Sequence, residues 1–129
     1  RLRVNLRLGS IYKKLPFQNN FFDAIISVQV IHHAKIGAIH KTIKEIERVL
    51  KPSGLIFITV AKSKFKQRAT KFKIIAPRTY TPVDGEEAGL PHYIYNKNLL
   101  KNDFRNFKIY DIWIDSGEHY CLLGRLKHE

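Results

Sequence analysis

The sequence has a single cysteine and no long apolar run. Cys121 cannot form an internal disulfide on its own, and no group of Cys and His residues has the spacing of a zinc site, so we predict no bound metal. The longest apolar stretches are strand-sized, well below the roughly 18 residues that suggest a membrane span, and the first residues lack a signal-peptide pattern. These absences predict a soluble, cytoplasmic protein without a membrane partner.

Acidic residues are also scarce. The 129 residues contain 11 Asp and Glu against 23 Lys and Arg, which gives a formal net charge of +12. Such a charge attracts nucleic acid or another polyanion; the alternative is a Lys-rich solvated surface, because charge alone does not determine a fold. No acid occurs between Glu47 and Asp84. Within that stretch, apolar residues at helical spacing in 65–76 predict a basic amphipathic helix.

The rest of the chain alternates between strand and helix patterns. Residues 4–8 alternate apolar and polar side chains, as in a half-buried strand, whereas residues 22–30 and 55–60 are rich in Ile and Val, as in strands covered on both faces. Between these two apolar runs, residues 36–50 carry one apolar stripe at helical spacing, and Pro52 ends the helix. This order predicts a right-handed βαβ crossover in a helix-covered sheet.

The last third of the chain predicts a short helix followed by a hairpin. Asn96 is suited to cap a helix that runs to Phe104. Residues 107–114 and 119–126 read as two strands, and the tight connection between them predicts an antiparallel hairpin.

The stretches "LPFQNNFFDAIISVQVIHHA", "ERVLKPSGLIFITV" and "NKNLLKNDFRNFKIYDIWIDSGEHYCLLGRLK" follow one another in the order and spacing of a known family. They resemble class I S-adenosylmethionine-dependent methyltransferases of the small-molecule and ubiquinone-biosynthesis type. The resemblance implies an enzyme that uses S-adenosyl-L-methionine. It also implies a Rossmann-like α/β fold, with a mostly parallel sheet that ends in a C-terminal antiparallel hairpin.

That family begins with a strand, a Gly-rich loop and a second strand ending in an acid, and residues 1–129 contain none of these. The resemblance therefore implies the C-terminal portion of one methyltransferase domain, with the N-terminal strands missing and residues 61–95 as a variable substrate-side insertion. We expect the strand at residues 22–30 to become a sheet edge that pairs with residues 1–8, with a second copy or with a partner chain. We also expect this chain alone to bind the cofactor weakly.

The resemblance also assigns candidate site residues. Those expected to contact the cofactor are Ser10 and Ile11 at the adenine, and Val28 and Gln29 at the methionine part. His33 is the catalytic candidate, because a histidine near neutral pH can orient an acceptor or take its proton. The substrate-side candidates are His32, Tyr80, His92 and Tyr93. The alternative for the adjacent histidines is that they cap and pack the strand-to-helix junction.

The acceptor itself is not identified by the sequence, although the basic stretch suggests an acidic, phosphorylated or RNA substrate. Two other functions stay open. One is a basic nucleic-acid-binding module, in which aromatic residues of the basic stretch stack on bases. The other is a non-catalytic, methyltransferase-like partner subunit.

Overall fold

The computed structural model describes residues 2–62 and 71–127. Within these ranges the chain forms seven strands and two helices. Their order is β1 (Phe22–Val28), α1 (Ile36–Val49), β2 (Leu50–Ala61), β3 (Phe72–Ala76), β4 (Thr79–Pro82), β5 (His92–Tyr93), α2 (Lys97–Asp103), β6 (Phe107–Ile114) and β7 (His119–Leu126).

Four of the strands form one sheet in the spatial order β1, β2, β7, β6. β1 and β2 are parallel and are connected through α1, whereas β7 is antiparallel to both of its neighbours. The predicted Rossmann-like α/β fold is confirmed, and so is the C-terminal hairpin, at its predicted bounds. The described part of the sheet is mixed, with one parallel and two antiparallel pairings, rather than mostly parallel. In the described residues, β1 forms one edge of this sheet and β6 the other.

β2 is longer than predicted and begins directly after α1. Phe22 pairs with Leu50, but Ala24 pairs with Leu55, so β2 carries an irregularity around Pro52. A Cβ added at Gly54 would lie 2.6 Å from the Cγ atom of Leu50. Only glycine therefore fits where the chain folds back against Leu50.

The core lies between the helices and one face of the sheet. In α1, Ile39, Ile43 and Ile46 recur every three or four residues and are buried, as the apolar stripe predicted. They belong to the same buried cluster as Ile56 and Ile58 of β2. Each such side chain contributes about 1.5–3 kcal/mol on burial, so this stripe orients α1 over the sheet.

The opposite face of the sheet is apolar but partly exposed. Ile26 of β1 is 73% exposed, and it pairs with Phe57 of β2, which in turn pairs with Leu123 of β7. The ring of Phe57 lies 5.9 Å from the ring of Trp113 on β6. A continuous apolar surface therefore extends across all four strands.

The second sheet consists of β3, β4 and β5 and is antiparallel throughout. It is tied to the first sheet by backbone hydrogen bonds, from Tyr93 N to the His32 carbonyl (2.8 Å) and from Tyr95 N to the Ala61 carbonyl (3.3 Å). The predicted cap of α2 is confirmed, since the Asn96 side chain accepts a hydrogen bond from Leu99 N (2.7 Å).

The strand predicted at residues 4–8 is wrong. This segment forms no strand, and the side chains of Val4, Leu6 and Leu8 are exposed. An alternating pattern forms a strand only where a neighbouring strand supplies hydrogen-bond partners and a core covers the apolar side. None of the described strands pairs with residues 4–8, so the expected pairing of this segment with the edge of β1 is absent.

The amphipathic helix predicted over residues 65–76 is wrong in its last part, because Phe72–Ala76 is strand β3. A nearby partner explains the difference: β3 pairs with β4 across a tight turn at Pro77 and Arg78, and Arg78 adopts a positive φ of 55°. The preceding part of the predicted helix, residues 63–70, lies outside the described residues.

Neither α1 nor α2 is long and apolar enough to cross a membrane, and the described ranges contain no other helix.

Candidate functional site

The candidate site lies at the edge of the main sheet where the two parallel strands end. β1 ends at Val28 and β2 ends at Ala61, and the antiparallel β7 begins beside them, with His119 paired to Ala61. In open α/β sheets, ligands bind at the carboxyl ends of the parallel strands. The segments that follow β1 and β2 therefore border the candidate site.

The loop at residues 9–12 borders the end of β1. The Tyr12 hydroxyl donates a hydrogen bond to the backbone carbonyls of Val30 (3.1 Å) and Ile31 (3.2 Å). These contacts bring the loop that carries Ser10 and Ile11 to the segment that follows Val28 and Gln29. The four predicted cofactor residues thus lie on two adjoining segments.

Hydrogen bonds also fix the conformation of that loop. The Thr42 hydroxyl of α1 donates to the Ile11 carbonyl (2.8 Å), and Ser10 Oγ accepts from Tyr12 N (3.2 Å). A serine oxygen has two lone pairs and one proton, so Ser10 keeps hydrogen-bonding capacity for a ligand.

The base of the loop is held by an ion pair on α1. Arg48 donates to both carboxylate oxygens of Glu45 (2.8 Å each), and Glu45 also accepts from Leu15 N (2.7 Å). Arg48 donates further to the carbonyls of Leu15 (3.0 Å) and Phe17 (2.8 Å). The hydrogen bonds from Arg48 lower the pKa of Glu45 to about 2. We call this pair, with its contacts to Leu15 and Phe17, the loop clamp.

Gln29 has a strained backbone at the end of β1. Its φ is 57°, in the left-handed region that residues with a Cβ rarely adopt. Two hydrogen bonds to the Thr59 hydroxyl, from Gln29 N and Nε2 (3.0 Å each), hold this conformation. Such strain concentrates at functional sites, where the surrounding structure enforces it. The neighbouring Val28 side chain is 55% exposed on the apolar sheet face.

Three histidines meet beside these segments. The ring centroid of His33 lies 4.2 Å from that of His32 and 4.5 Å from that of His92, and the other two are 5.6 Å apart. We call His32, His33 and His92 the histidine trio. The backbone bond from Tyr93 N to the His32 carbonyl fixes β5 in this position.

All three histidines have lowered pKa values. Burial lowers the pKa of His32 to about 2, and the neighbouring histidines add to the effect. Burial also lowers the pKa values of His33 and His92. Glu87 raises both pKa values and so partly offsets the effect of burial, and the hydrogen bond to the Leu90 carbonyl does the same at His92. The three rings are therefore neutral at pH 7. His32 and His92 are buried, whereas His33 is partly exposed.

The other two substrate-side candidates lie in different environments. Tyr80 of β4 is half-buried and pairs with His92 of β5, which puts both side chains on the same face of the second sheet. Tyr93 is buried in the core, with its ring 4.8 Å from that of Tyr95. The structure thus places Tyr80 near the histidine trio and Tyr93 in the core.

The sequence did not predict two charged contacts near the site. Glu87 Oε2 lies 2.9 Å from His92 Nε2, and Asp115 accepts from His119 Nδ1 at 3.1 Å. Glu87 lies in a loop with no periodic pattern, so nothing in the sequence indicates its partner. Asp115 and His119 lie on either side of the predicted hairpin turn, so their closeness in the sequence could have indicated this contact.

Residues 1–58 match a family model described as a methyltransferase domain. Those residues include the loop at residues 9–12, the end of β1, His32 and His33.

Two curated relatives are RNA-modifying enzymes by name. The tRNA (carboxymethyluridine(34)-5-O)-methyltransferase of Arabidopsis thaliana is 45% identical over 47 residues, which are 36% of this chain and 12% of that protein. The mouse protein named "Probable tRNA methyltransferase 9B" (Mus musculus) is 42% identical over 65 residues, which are 49% of this chain and 14% of that protein. The chain therefore matches only a small part of each relative's length.

Solved structures share the fold at low identity. A SAM-dependent methyltransferase from Methanosarcina mazei superposes with a TM-score of 0.75 at 14% identity, over 95% of this chain and 67% of that one. The 1,6-didemethyltoxoflavin-N1-methyltransferase of Burkholderia thailandensis, solved with S-adenosylhomocysteine, gives a TM-score of 0.68 at 17% identity, over 93% of this chain and 49% of that one. These likenesses show that the chain shares the fold of both structures.

Proposed function

We propose, from the premise that this chain carries part of a class I S-adenosylmethionine-dependent methyltransferase domain, that the protein transfers a methyl group from S-adenosyl-L-methionine to RNA. The observation that carries the proposal is the meeting of three features at one sheet edge. They are the hydrogen-bonded loop at residues 9–12, the strained end of β1 at Gln29, and the partly exposed His33.

On the cofactor side, we propose that Ser10, Ile11, Val28 and Gln29 contact S-adenosyl-L-methionine. The two segments adjoin, Ser10 keeps hydrogen-bonding capacity, and the exposed Val28 offers an apolar surface. When bound, the cofactor supplies an electrophilic methyl group on a sulfonium. The chain's own contribution is to position the acceptor for in-line attack and to exclude competing geometries.

On the acceptor side, we propose that His33 orients the nucleophile and accepts its proton. Its ring is neutral at pH 7 because burial lowers its pKa, and it is the partly exposed member of the histidine trio. His32 and His92 pack against it and fix its position. We infer that residues 61–95, which supply Tyr80 and His92, form the substrate side of the site.

The choice of RNA as acceptor rests on charge and on the relatives. The net charge of +12 favours binding of a polyanion. The exposed Lys71 lies just before β3 and the exposed Lys73 lies in it, within the segment assigned to the substrate side. Both curated relatives are named as tRNA methyltransferases. The competing function is a basic module that binds RNA without transferring a methyl group. A measurement of methyl transfer to RNA distinguishes these two functions.

The test measures transfer of a tritiated methyl group from S-adenosyl-L-methionine to total tRNA by a version of the protein extended upstream of Arg1, with and without His33→Ala, because this chain alone is expected to bind the cofactor weakly. Loss of a proton acceptor typically costs about 10²-fold to 10⁴-fold in turnover. We expect such a loss of turnover in His33→Ala, while its cofactor affinity stays within about twofold of the unsubstituted protein. The control His40→Ala, which removes a histidine that contacts Asp103, should keep the same turnover. An equal loss of cofactor affinity and thermal stability would assign His33 to packing.

We also propose that a second chain covers β1, either another copy or a partner. In the described residues β1 is a sheet edge, and its side chains Ile26 and Val28 are exposed. Such an edge invites pairing, and a lysine on it blocks pairing. Light scattering after size exclusion should show an assembly that Ile26→Lys disrupts and Ile74→Lys, an equally exposed residue on β3, leaves intact. A monomeric wild-type protein would contradict self-association.

A further inference from the structure

The histidine trio brings three ring nitrogens together from two distant parts of the sequence. His32, His33 and His92 each offer one nitrogen, and these three atoms lie within 4.8 Å of one another. A histidine nitrogen bonds to zinc at about 2.0–2.1 Å, which places the nitrogens of a tetrahedral site about 3.4 Å apart. Metal binding therefore requires the rings to move closer together, because separations of up to 4.8 Å exceed this spacing.

One nitrogen of the trio has no partner in the residues that the structure describes. His32 is 2% exposed, and its Nδ1 atom is buried without a hydrogen bond. Buried polar atoms are nearly always paired, so an orphaned one calls for an explanation. A buried imidazole with an unused ring nitrogen, packed against two other imidazoles, can serve as a metal ligand.

The geometry at His92 points the same way. Its Nδ1 lies 2.9 Å from the Leu90 carbonyl, which only accepts, so Nδ1 carries the proton. Its Nε2 lies 2.9 Å from Glu87 Oε2, a contact that is held by a proton on Nε2 or by a metal cation bound to both atoms. The bond to Leu90 is also the outer contact that commonly orients a metal-binding histidine.

We propose that His32, His33 and His92 bind a divalent transition-metal ion of the zinc type, with the Glu87 carboxylate as the fourth ligand. Three imidazoles and one carboxylate are the nitrogen and oxygen ligands that Zn²⁺ takes in tetrahedral sites. Mg²⁺ and Ca²⁺ prefer sets made entirely of oxygen, so the trio discriminates against them. A bound ion ties the segment after β1 to β5 and to the loop that precedes β5.

Metal binding also has a consequence for catalysis. If the coordinating nitrogen of His33 is the one that accepts the acceptor's proton, bound metal removes its lone pair from that role. Zinc then inhibits methyl transfer while it stabilises the fold. This consequence rests on the proposed function, whereas the metal site itself does not, so a binding measurement tests the site even if the protein methylates nothing.

The experiment titrates the untagged protein with Zn²⁺ in a calorimeter and with Co²⁺ in a visible spectrometer. We expect one ion per chain, the absorption of tetrahedral Co²⁺, and a raised melting temperature. His33→Gln and His92→Gln should each weaken Zn²⁺ binding at least tenfold, because each removes a ligand. His40→Gln, which alters a histidine paired with Asp103, should leave the affinity unchanged. Mg²⁺ should not bind at the same concentrations.

Two results would overturn the proposal. One is the absence of binding at one ion per chain, and the other is equal affinity in wild type, His33→Gln and His40→Gln. His33 is partly exposed, so its variant is expected to fold, and circular dichroism checks this. If the buried His92→Gln variant does not fold, the His33→Gln comparison alone decides the outcome.

Discussion

The loop clamp offers a sharp test of how the candidate cofactor loop is held in place. In Glu45→Gln, the amide oxygen can still accept from Leu15 N, but the amide nitrogen faces Arg48, so two donors oppose each other. A hydrogen bond to a charged group contributes about 1.5–3 kcal/mol. Because both side chains are about one-fifth exposed, we expect a loss of about 2 kcal/mol.

This loss has a characteristic pH dependence. The pKa of Glu45 is about 2 in the folded protein against an ordinary 4.5, so its stabilising effect is present above pH 4.5 and is lost as the pH falls toward 2. Wild type and Glu45→Gln should therefore differ in unfolding free energy at pH 6 and converge in acid.

Urea unfolding of both proteins between pH 3 and pH 7, followed by circular dichroism, measures the difference. For a chain of this length, 2 kcal/mol corresponds to about 6–10 °C in melting temperature. Glu47→Gln is the matched control on the same helix, because Glu47 accepts only one exposed hydrogen bond, from Asn106, in the described contacts. A difference that is absent at pH 6, or that stays constant down to pH 3, would refute the reasoning.

Three further predictions concern the site. Replacing Lys64, Lys66, Lys71 and Lys73 with Gln should weaken RNA binding and lower the slope of log affinity against log salt by up to about 3, and an unchanged slope would leave only a solvated surface. Turnover should rise with pH and level off with an apparent pKa below 6.5, since the pKa of His33 is lowered, and a limb above 6.5 would contradict its role. Thr42→Val should cost about 1 kcal/mol and weaken S-adenosylhomocysteine binding, because it frees the Ile11 carbonyl; unchanged cofactor affinity would argue against that loop.

Features set by local pattern were predicted correctly. The stripe of α1, the Asn96 cap and the hairpin of β6 and β7 all follow from the spacing of neighbouring residues. Each of these signals is contained within one continuous segment of the chain. The order of these elements predicted the βαβ crossover, and the Rossmann-like α/β fold followed from the family resemblance.

Features that depend on distant partners were not predictable. The alternation at residues 4–8 is a proper strand pattern, but a strand also needs a neighbour, which the sequence pattern does not reveal. The contact of His92 with His32 and His33 depends on how β5 attaches to the segment after β1. The prediction of no bound metal considered only ligand spacing along the chain and stays a prediction, whereas the histidine trio forms only through tertiary contact.

The most direct test of the account is a nuclear magnetic resonance titration of this chain with S-adenosylhomocysteine. Chemical shifts of individual amides report weak binding residue by residue, which suits a chain expected to bind the cofactor weakly. The account predicts that the amides of Ser10, Ile11, Val28 and Gln29 shift together and saturate in the millimolar range, while those of β6 remain unchanged. The absence of shifts at these four amides, or shifts concentrated on β6, would contradict the proposed cofactor site.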